Sequence, residues 1–250
     1  LFCLISSSVY LFNDIMDIES DKKHPIKCNR PIASGNLPIS VALIFAMFFI
    51  GFSLSVGFWL STGFGIIASI YFLTNLAYSK WLKHIVIIDV LVIAFGFVLR
   101  VASGVTLINV QRFSPWLYVV TTLLSLCIGF GKRRSELACI NNNEAGQQRR
   151  VLDGYTIPFL DQIITAVSSM TIIAYSLYTF SAPNLPADHS MMLTIPFVLY
   201  GIFRYVYLIE VQHTGEAPEE LLLNDHPLQI TILCFGILVF IIFYSNHIFI

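Results

Sequence analysis

Residues 13–35, NDIMDIESDKKHPIKCNRPIASG, are the first polar stretch of the chain and separate two apolar runs. Asn13, Asp17 and Asp21 are spaced four apart. At 3.6 residues per turn they stack along one face of a helix, with Asp14 beside the row. Carboxylates stacked in this way repel one another unless a cation sits among them. Oxygen ligands that leave positions open suit Mg²⁺ shared with a phosphorylated substrate. Lys22, Lys23, His24, Lys27 and Arg30 follow at once, enough positive charge to receive an anion. A plain connector could also carry acids at a helix end and cations in the next loop. Three oxygen ligands at i, i+4 and i+8 at a membrane boundary argue for a site instead.

The rest of the chain explains why that stretch stands out. Apolar residues make up 56% of the 250 and charged ones only 12%, with a mean hydropathy of +0.77, far from a soluble domain. Apolar segments recur at about 38–60, 62–79, 84–108, 115–132, 156–180, 190–210 and 228–249, each about long enough to cross a bilayer. The expected fold is all-α: a polytopic membrane helix bundle of seven complete spans and one partial helix at 1–22. One domain over 1–250 is expected, because no polar stretch is long enough for a second. The chain starts with Leu inside an apolar run, so upstream sequence is expected to be missing. The net charge of −1 says nothing about nucleic acid, and without an interleaved basic patch no nucleic-acid partner is expected. Cys3, Cys28, Cys127, Cys139 and Cys234 form no CxxC pair and read as reduced thiols.

Alternating the spans puts Lys22, Lys23, Lys27, Arg30, Lys80, Lys83, Lys132, Arg133, Arg134, Arg149 and Arg150 on one side, and only Arg112 in the opposite loops. By the positive-inside rule the rich side is cytoplasmic. The acid row then faces soluble metabolites across an inner or plasma membrane. Asp89, Asp161 and Arg204 lie inside spans, each roughly 8–9 Å from the cytoplasmic end at 1.5 Å per residue. They are expected either to share a polar pocket or to form an ion pair, Arg204 with Asp89 or Asp161. Arg100, near the far interface, is expected to snorkel to outer headgroups. A second constellation, Lys132-Arg133-Arg134-Ser135-Glu136 with Arg149, Arg150 and Tyr155, reads either as topological anchors at a helix exit or as a phosphate cradle. Asn75, Tyr78, Lys80 and Lys83 form a weaker group. The acidic segment from Pro218 is expected to start a short scaffolding helix.

NDIMDIESD with HPIKCNRPIASG resembles the first Asp-rich motif, NDxxDxxxD, of the UbiA superfamily of intramembrane prenyltransferases. YSKWLKHIVIIDVLVIAFGFVLRVASG, GKRRSEL, RRVLDGYTIPFLD, IPFVLYGIFRYVYLIE and PEELLLNDHPL resemble its decaprenyl-phosphate phosphoribosyltransferase branch. The resemblance spans nearly the whole chain. It implies a nine-helix bundle, of which this chain would lack the first helix and part of the second. The chain departs from typical members where a second Asp-rich motif is expected and KRRSE stands instead. Cations there suit phosphoribosyl diphosphate, whose 5-phosphate needs its own positive partners. The implied reaction is Mg²⁺-dependent transfer of phosphoribosyl to a polyprenyl phosphate. Asn13, Asp17 and Asp21, helped by Asp14, would hold the metal. Lys132, Arg133 and Arg134 would neutralise donor phosphates, with Glu136 orienting an arginine. Tyr78, Lys83 and Tyr155 would complete the donor site. Arg204 or the Lys22, Lys27 and Arg30 loop would grip the lipid head group. A homo-oligomer is allowed by the pattern and not required by it. Two alternatives stay open: a prenyltransferase joining a prenyl diphosphate to an aromatic or lipid acceptor, and a divalent-cation transporter. Transporters tend to put their sites at the midplane on broken helices.

Overall fold

The shortest link in the chain sets the first contact. In the computed structural model, helices α3 (Ile39–Leu60) and α4 (Thr62–Lys80) are separated by Ser61 alone. Its extended backbone and a side-chain oxygen accepting from the Phe64 amide at 3.5 Å make it a helix cap. The structure describes residues 1–22, 27–108, 114–141, 150–183, 185, 186, 188–212 and 218–248, with backbone alone at 139–141, 150, 218–220 and 245–248. Lys23, His24, Arg112 and Arg149 lie outside these residues, as do the side chains of Cys139 and Arg150.

Ten α-helices appear among the described residues, and no strand: α1 (Phe2–Met16), α2 (Ile18–Asp21), α3, α4, α5 (Ile88–Val105), α6 (Pro115–Asn141), α7 (Ile157–Ser181), α8 (Ile195–Glu210), α9 (Pro218–Asn224) and α10 (His226–Ile248). Six segments are long and apolar enough to cross a membrane: α3, α5, α6, α7, α8 with the turn before it, and α10. The chain is an all-α integral membrane protein. The expected span at 62–79 is present as α4, 19 residues long, but is not among the six. Thr74, Asn75, Tyr78 and Ser79 make its last turns polar, and those turns border the acid row described below.

Contacts divide the chain into two compact units, Leu1–Val110 with Asn143–Gly154, and Gln111–Asn142 with Tyr155–Ile250. In the first, α1 packs on α3 and α4, and α4 on α5. Helix α3 buries Ala42, Ala46, Ile50, Ser53 and Gly57, one mostly small residue per turn, and small residues let membrane helices approach closely. The Ser8 hydroxyl uses that proximity to donate to the Ala46 carbonyl at 2.8 Å. The opposite face of α3 exposes Ile44, Phe45, Met47, Phe48 and Phe52, as a lipid-facing helix does.

Helix α5 starts at Ile88, four residues later than the apolar pattern suggests, because Leu82–His84 form a 3-10 turn ahead of it. Ile87 closes that connection at φ 70°, ψ −44°, a conformation a β-branched side chain rarely adopts.

In the second unit α6 packs along α7, and α8 packs on α7 and α10. Helix α6 runs on to Asn141, through the KRRSE segment that reads as a loop by polarity. Lys, Arg, Glu, Leu and Ala are good helix formers, and the Arg133–Glu136 pair at i, i+3 supports the extra turns. A Cβ at Gly131 would lie 2.6 Å from both Ile209 Cδ1 and the Tyr205 hydroxyl oxygen. Gly131→Ala is therefore expected to destabilise the protein by about 1–3 kcal/mol through overpacking. A thermal unfolding comparison in detergent checks this, and an unchanged midpoint would refute the close approach.

Candidate functional site

The acid row forms where α1 ends. The Asp17 amide donates to the Asn13 carbonyl at 2.9 Å and the Asp21 amide to the Asp17 carbonyl at 2.8 Å. The i, i+4 ladder thus passes through all three residues although Asp17, at φ −97° and ψ 6°, divides α1 from α2. The structure accordingly keeps Asn13, Asp17 and Asp21 on successive turns.

Each side chain in the row has a partner from the same unit. Arg30 Nη1 bridges Asp14 Oδ1 at 2.8 Å and Asp21 Oδ2 at 2.9 Å. Lys83 Nζ meets Asp17 Oδ1 at 2.6 Å. The Ser79 hydroxyl donates to Asn13 Oδ1 at 3.1 Å, turning the amide oxygen toward the end of α4. Asp21 is buried, at 4% exposure, and Lys83 is nearly so. Like charges on adjacent turns are tolerated because two protein cations lie against them. Lys22 pairs with exposed Glu19, at 3.6 Å. Lys27 and Tyr78 are half-buried. Ser79 was not legible as a site residue, since serine near a helix end is common and nothing in the sequence pairs it with Asn13, 66 positions earlier.

Asp89 is fully buried in the first turn of α5, where the positive end of the helix dipole favours a carboxylate. Arg100 is exposed, its guanidinium donating to the Tyr71 hydroxyl at 2.7 Å and Ser6 Oγ at 2.8 Å and lying over the Tyr71 and Phe97 rings. Hydroxyl acceptors and aromatic faces are the partners a cation can find among packed helices. Asn75 folds back onto its own helix, donating to the Tyr71 carbonyl, and Lys80 lies over the Trp81 ring.

The second unit holds the basic constellation. Arg133, 2% exposed, pairs through Nη1 with Glu136 Oε2 at 2.6 Å. Arg134 points elsewhere. Its Nε meets Asp161 Oδ1 at 2.6 Å and its Nη1 donates to the Ile209 carbonyl at 2.8 Å, which ties α6 to α7 and to the end of α8. Lys132 is half-buried. Tyr155 is buried, its ring stacked near Phe159.

Arg204 does not pair with Asp161 or Asp89 as expected. It forms a two-point contact with Asp225, Nη2 to Oδ2 at 2.7 Å and Nε to Oδ1 at 3.2 Å. Asp225 also caps α10, accepting from the Leu228 amide at 2.9 Å. The Arg204 hydrogen bonds, aided by that amide, hold its carboxyl below the usual carboxylate range. An Asp just before His226-Pro227 is a helix-start signature that could have marked this residue. Between α6, α7, α8, α9 and α10 lies a cavity of about 430 Å³. The polar side chains on its wall turn away into protein hydrogen bonds, such as Cys127 with Ser168, Tyr175 with Thr194, and Tyr205 to the Ile128 carbonyl.

Among the described residues, no three His, Cys, Asp or Glu side chains converge as a metal cluster. The acid row nonetheless fits Mg²⁺. Its donors are all oxygen, and Mg²⁺ characteristically takes one or two carboxylates and fills its other positions with water and substrate phosphate. The cations already drawn to Asp14, Asp17 and Asp21 show that the row demands positive charge.

Residues 1–223 match the UbiA prenyltransferase family. The decaprenyl-phosphate phosphoribosyltransferase of Mycolicibacterium smegmatis is 32% identical over 242 residues, covering 93% of this chain and 75% of its own. The enzyme of the same name from Corynebacterium glutamicum is 30% identical over 235 residues, covering 92% and 70%. Among solved structures, a UbiA homologue from Archaeoglobus fulgidus bound to DMAPP and Mg²⁺ superposes with a TM-score of 0.70 at 17% identity, over 98% of this chain and 84% of that one. On the match over most of its length, the chain belongs to the UbiA prenyltransferase family of membrane transferases.

Proposed function

We propose that this protein transfers the 5-phosphoribosyl group from phosphoribosyl diphosphate to a polyprenyl phosphate, releasing diphosphate. The observation that carries this reading is in the sequence, which has one acid row, Asn13–Asp21, and the cations of KRRSE where a second acid motif would serve a prenyl diphosphate. Relatives named decaprenyl-phosphate phosphoribosyltransferase at 30–32% identity support it.

In this reading Asn13, Asp17 and Asp21, with Asp14 beside them, hold Mg²⁺ and the donor's diphosphate. Bound Mg²⁺ supplies charge neutralisation for the leaving diphosphate. The bond from ribose C1 to the diphosphate oxygen breaks, and a bond from C1 to a lipid phosphate oxygen forms with inversion. That oxygen is already anionic near neutral pH, so no strong general base is needed. Lys132 and Arg133 neutralise the donor's 5-phosphate, with Glu136 fixing the guanidinium. Arg134 contributes by holding α6 against α7 and α8. Tyr78, Tyr155 and the Lys22–Arg30 loop border the substrates. The concentration of Lys and Arg on one side of the spans supports a cytoplasmic site.

The test is to incubate the full protein with Mg²⁺, a polyprenyl phosphate and either phosphoribosyl diphosphate or a prenyl diphosphate, then weigh the lipid product. A phosphoribosylated lipid is expected, and a prenylated product alone would overturn the assignment. Arg133→Gln removes a charge-assisted contact of about 1.5–3 kcal/mol. It is expected to lower kcat/KM for phosphoribosyl diphosphate about 10- to 150-fold. A donor lacking the 5-phosphate, already poor, should lose little more, because contacts sharing a group are not additive. Equal losses for both donors would remove Arg133 from the 5-phosphate.

A further inference from the structure

We infer that the cavity between α6, α7, α8, α9 and α10 is a lipid site, and that it takes one acyl chain of a bilayer phospholipid. Such a site is separate from the proposed reaction and stands whichever donor the protein uses. The cavity lies wholly within the second compact unit. Five of the residues on its wall carry polar side-chain atoms, and each of the five is bonded inside the protein. Cys127 bonds to Ser168 at 3.3 Å and Tyr175 to Thr194 at 2.6 Å. The hydroxyls of Tyr205, Thr171 and Thr231 donate to the carbonyls of Ile128, Val167 and Pro227 at 3.2, 2.7 and 2.7 Å. A buried water is held by several polar partners, and apolar cavities stay dry. With its polar groups turned into protein hydrogen bonds, this wall favours hydrocarbon.

At about 430 Å³ the cavity is roughly three times the apolar void of ~150 Å³ that holds one benzene. Room for three six-carbon rings is room for about 17 or 18 carbons, the length of a common acyl chain. Such a volume left unfilled lowers stability in proportion to its size, because the lining atoms lose contacts. The rim shows where the chain comes from. Leu124 on α6, Leu222 on α9 and Ile232 on α10 are exposed, whereas Cys127, Thr171 and Ile202 on the same wall are buried. Helices α6 and α10 are membrane spans, so the rim opens on bilayer hydrocarbon. A phospholipid can keep its headgroup outside and turn one chain inward. A methyl-branched polyprenyl chain is bulkier per unit length and, beyond a few units, too long to be held whole. Gly201 completes the fit. It lines the cavity, and a Cβ added there would meet no atom within 4 Å. A side chain at this position therefore takes up cavity space and not protein space, and glycine keeps that space open.

The experiment places the full chain in phosphatidylcholine vesicles in which a minor share of the lipid carries a photoreactive diazirine near the end of one acyl chain. After irradiation the labelled residues are mapped by mass. Wild type is expected to carry label at Cys127 and Thr171, which are buried from the surrounding bilayer. Gly201→Leu, which fills the space, is expected to lose that label and to keep the label on Phe45 and Phe48, exposed on α3. Its unfolding midpoint in detergent should be no lower than that of wild type, since leucine favours a helix over glycine. Gly201→Ala, a smaller filling, should fold as wild type does and lose part of the label. Free fatty acid or polyprenyl phosphate, added to wild type at the same share as the probe, should leave the label in place. Removal of the label by either one would give the cavity to that lipid and overturn the phospholipid assignment. Wild type labelled on α3 but not at Cys127 or Thr171 would overturn the site itself, as would a folded Gly201→Leu that keeps the full label.

Discussion

Asp17→Asn and Asp21→Asn are each expected to lower turnover by on the order of 10³-fold or more, while the protein still folds and inserts. Asparagine keeps the shape of aspartate and one accepting oxygen, so the row's geometry survives while the charge is lost. For Asp21→Asn the fold has a further safeguard, because Arg30 keeps its contact with Asp14. For Asp17→Asn the amine of Lys83 still has an oxygen within reach. The deficit therefore falls on binding and departure of the diphosphate and not on stability. Turnover measured beside thermal unfolding midpoints separates the two. Near-normal turnover in both well-folded variants would end the role of this row in metal and diphosphate binding.

Arg134→Gln should do the reverse and damage the fold first. Its guanidinium is buried and joins the Asp161 carboxylate to the Ile209 carbonyl, so three helices share one cation. Removing a cation that makes two charge-assisted hydrogen bonds costs about 3 kcal/mol. That is a large fraction of the stability of an ordinary domain. A lowered unfolding midpoint and a poor yield of folded protein are expected, whichever donor is later assayed. Arg133→Gln, one residue away, also takes a buried cation from its pair, and is set apart by a selective loss of activity on one donor. If Arg134→Gln proved as stable as wild type and selectively lost phosphoribosyl diphosphate, the two arginines would have to exchange roles.

The contrast marks where sequence reading succeeds here. The register of Asn13, Asp17 and Asp21 was legible because it depends only on helical period, and the structure keeps it even through the break at Asp17. The spans were legible because apolar runs of bilayer length have few other uses. Pairing was not. Lys83 finds Asp17 from 66 positions away, Arg134 finds Asp161 from 27, and Arg204 finds Asp225 from 21. Several acids were open to each cation, and only helix packing decides among them. Adjacent arginines in KRRSE look equivalent as a string. Once the segment is helical they point about 100° apart and meet different neighbours.

The turn that ends in Ile87 carries a backbone cost beside the acid row. A β-branched residue held at φ 70° carries a conformational cost of about 1–3 kcal/mol. Glycine would remove that cost and widen the backbone's choices in both the folded and unfolded chain. The residue lies four positions after Lys83, at the other end of the connection that delivers the amine to Asp17. Isoleucine fixes the backbone between Lys83 and α5 at that cost, and glycine would exchange it for a looser connection.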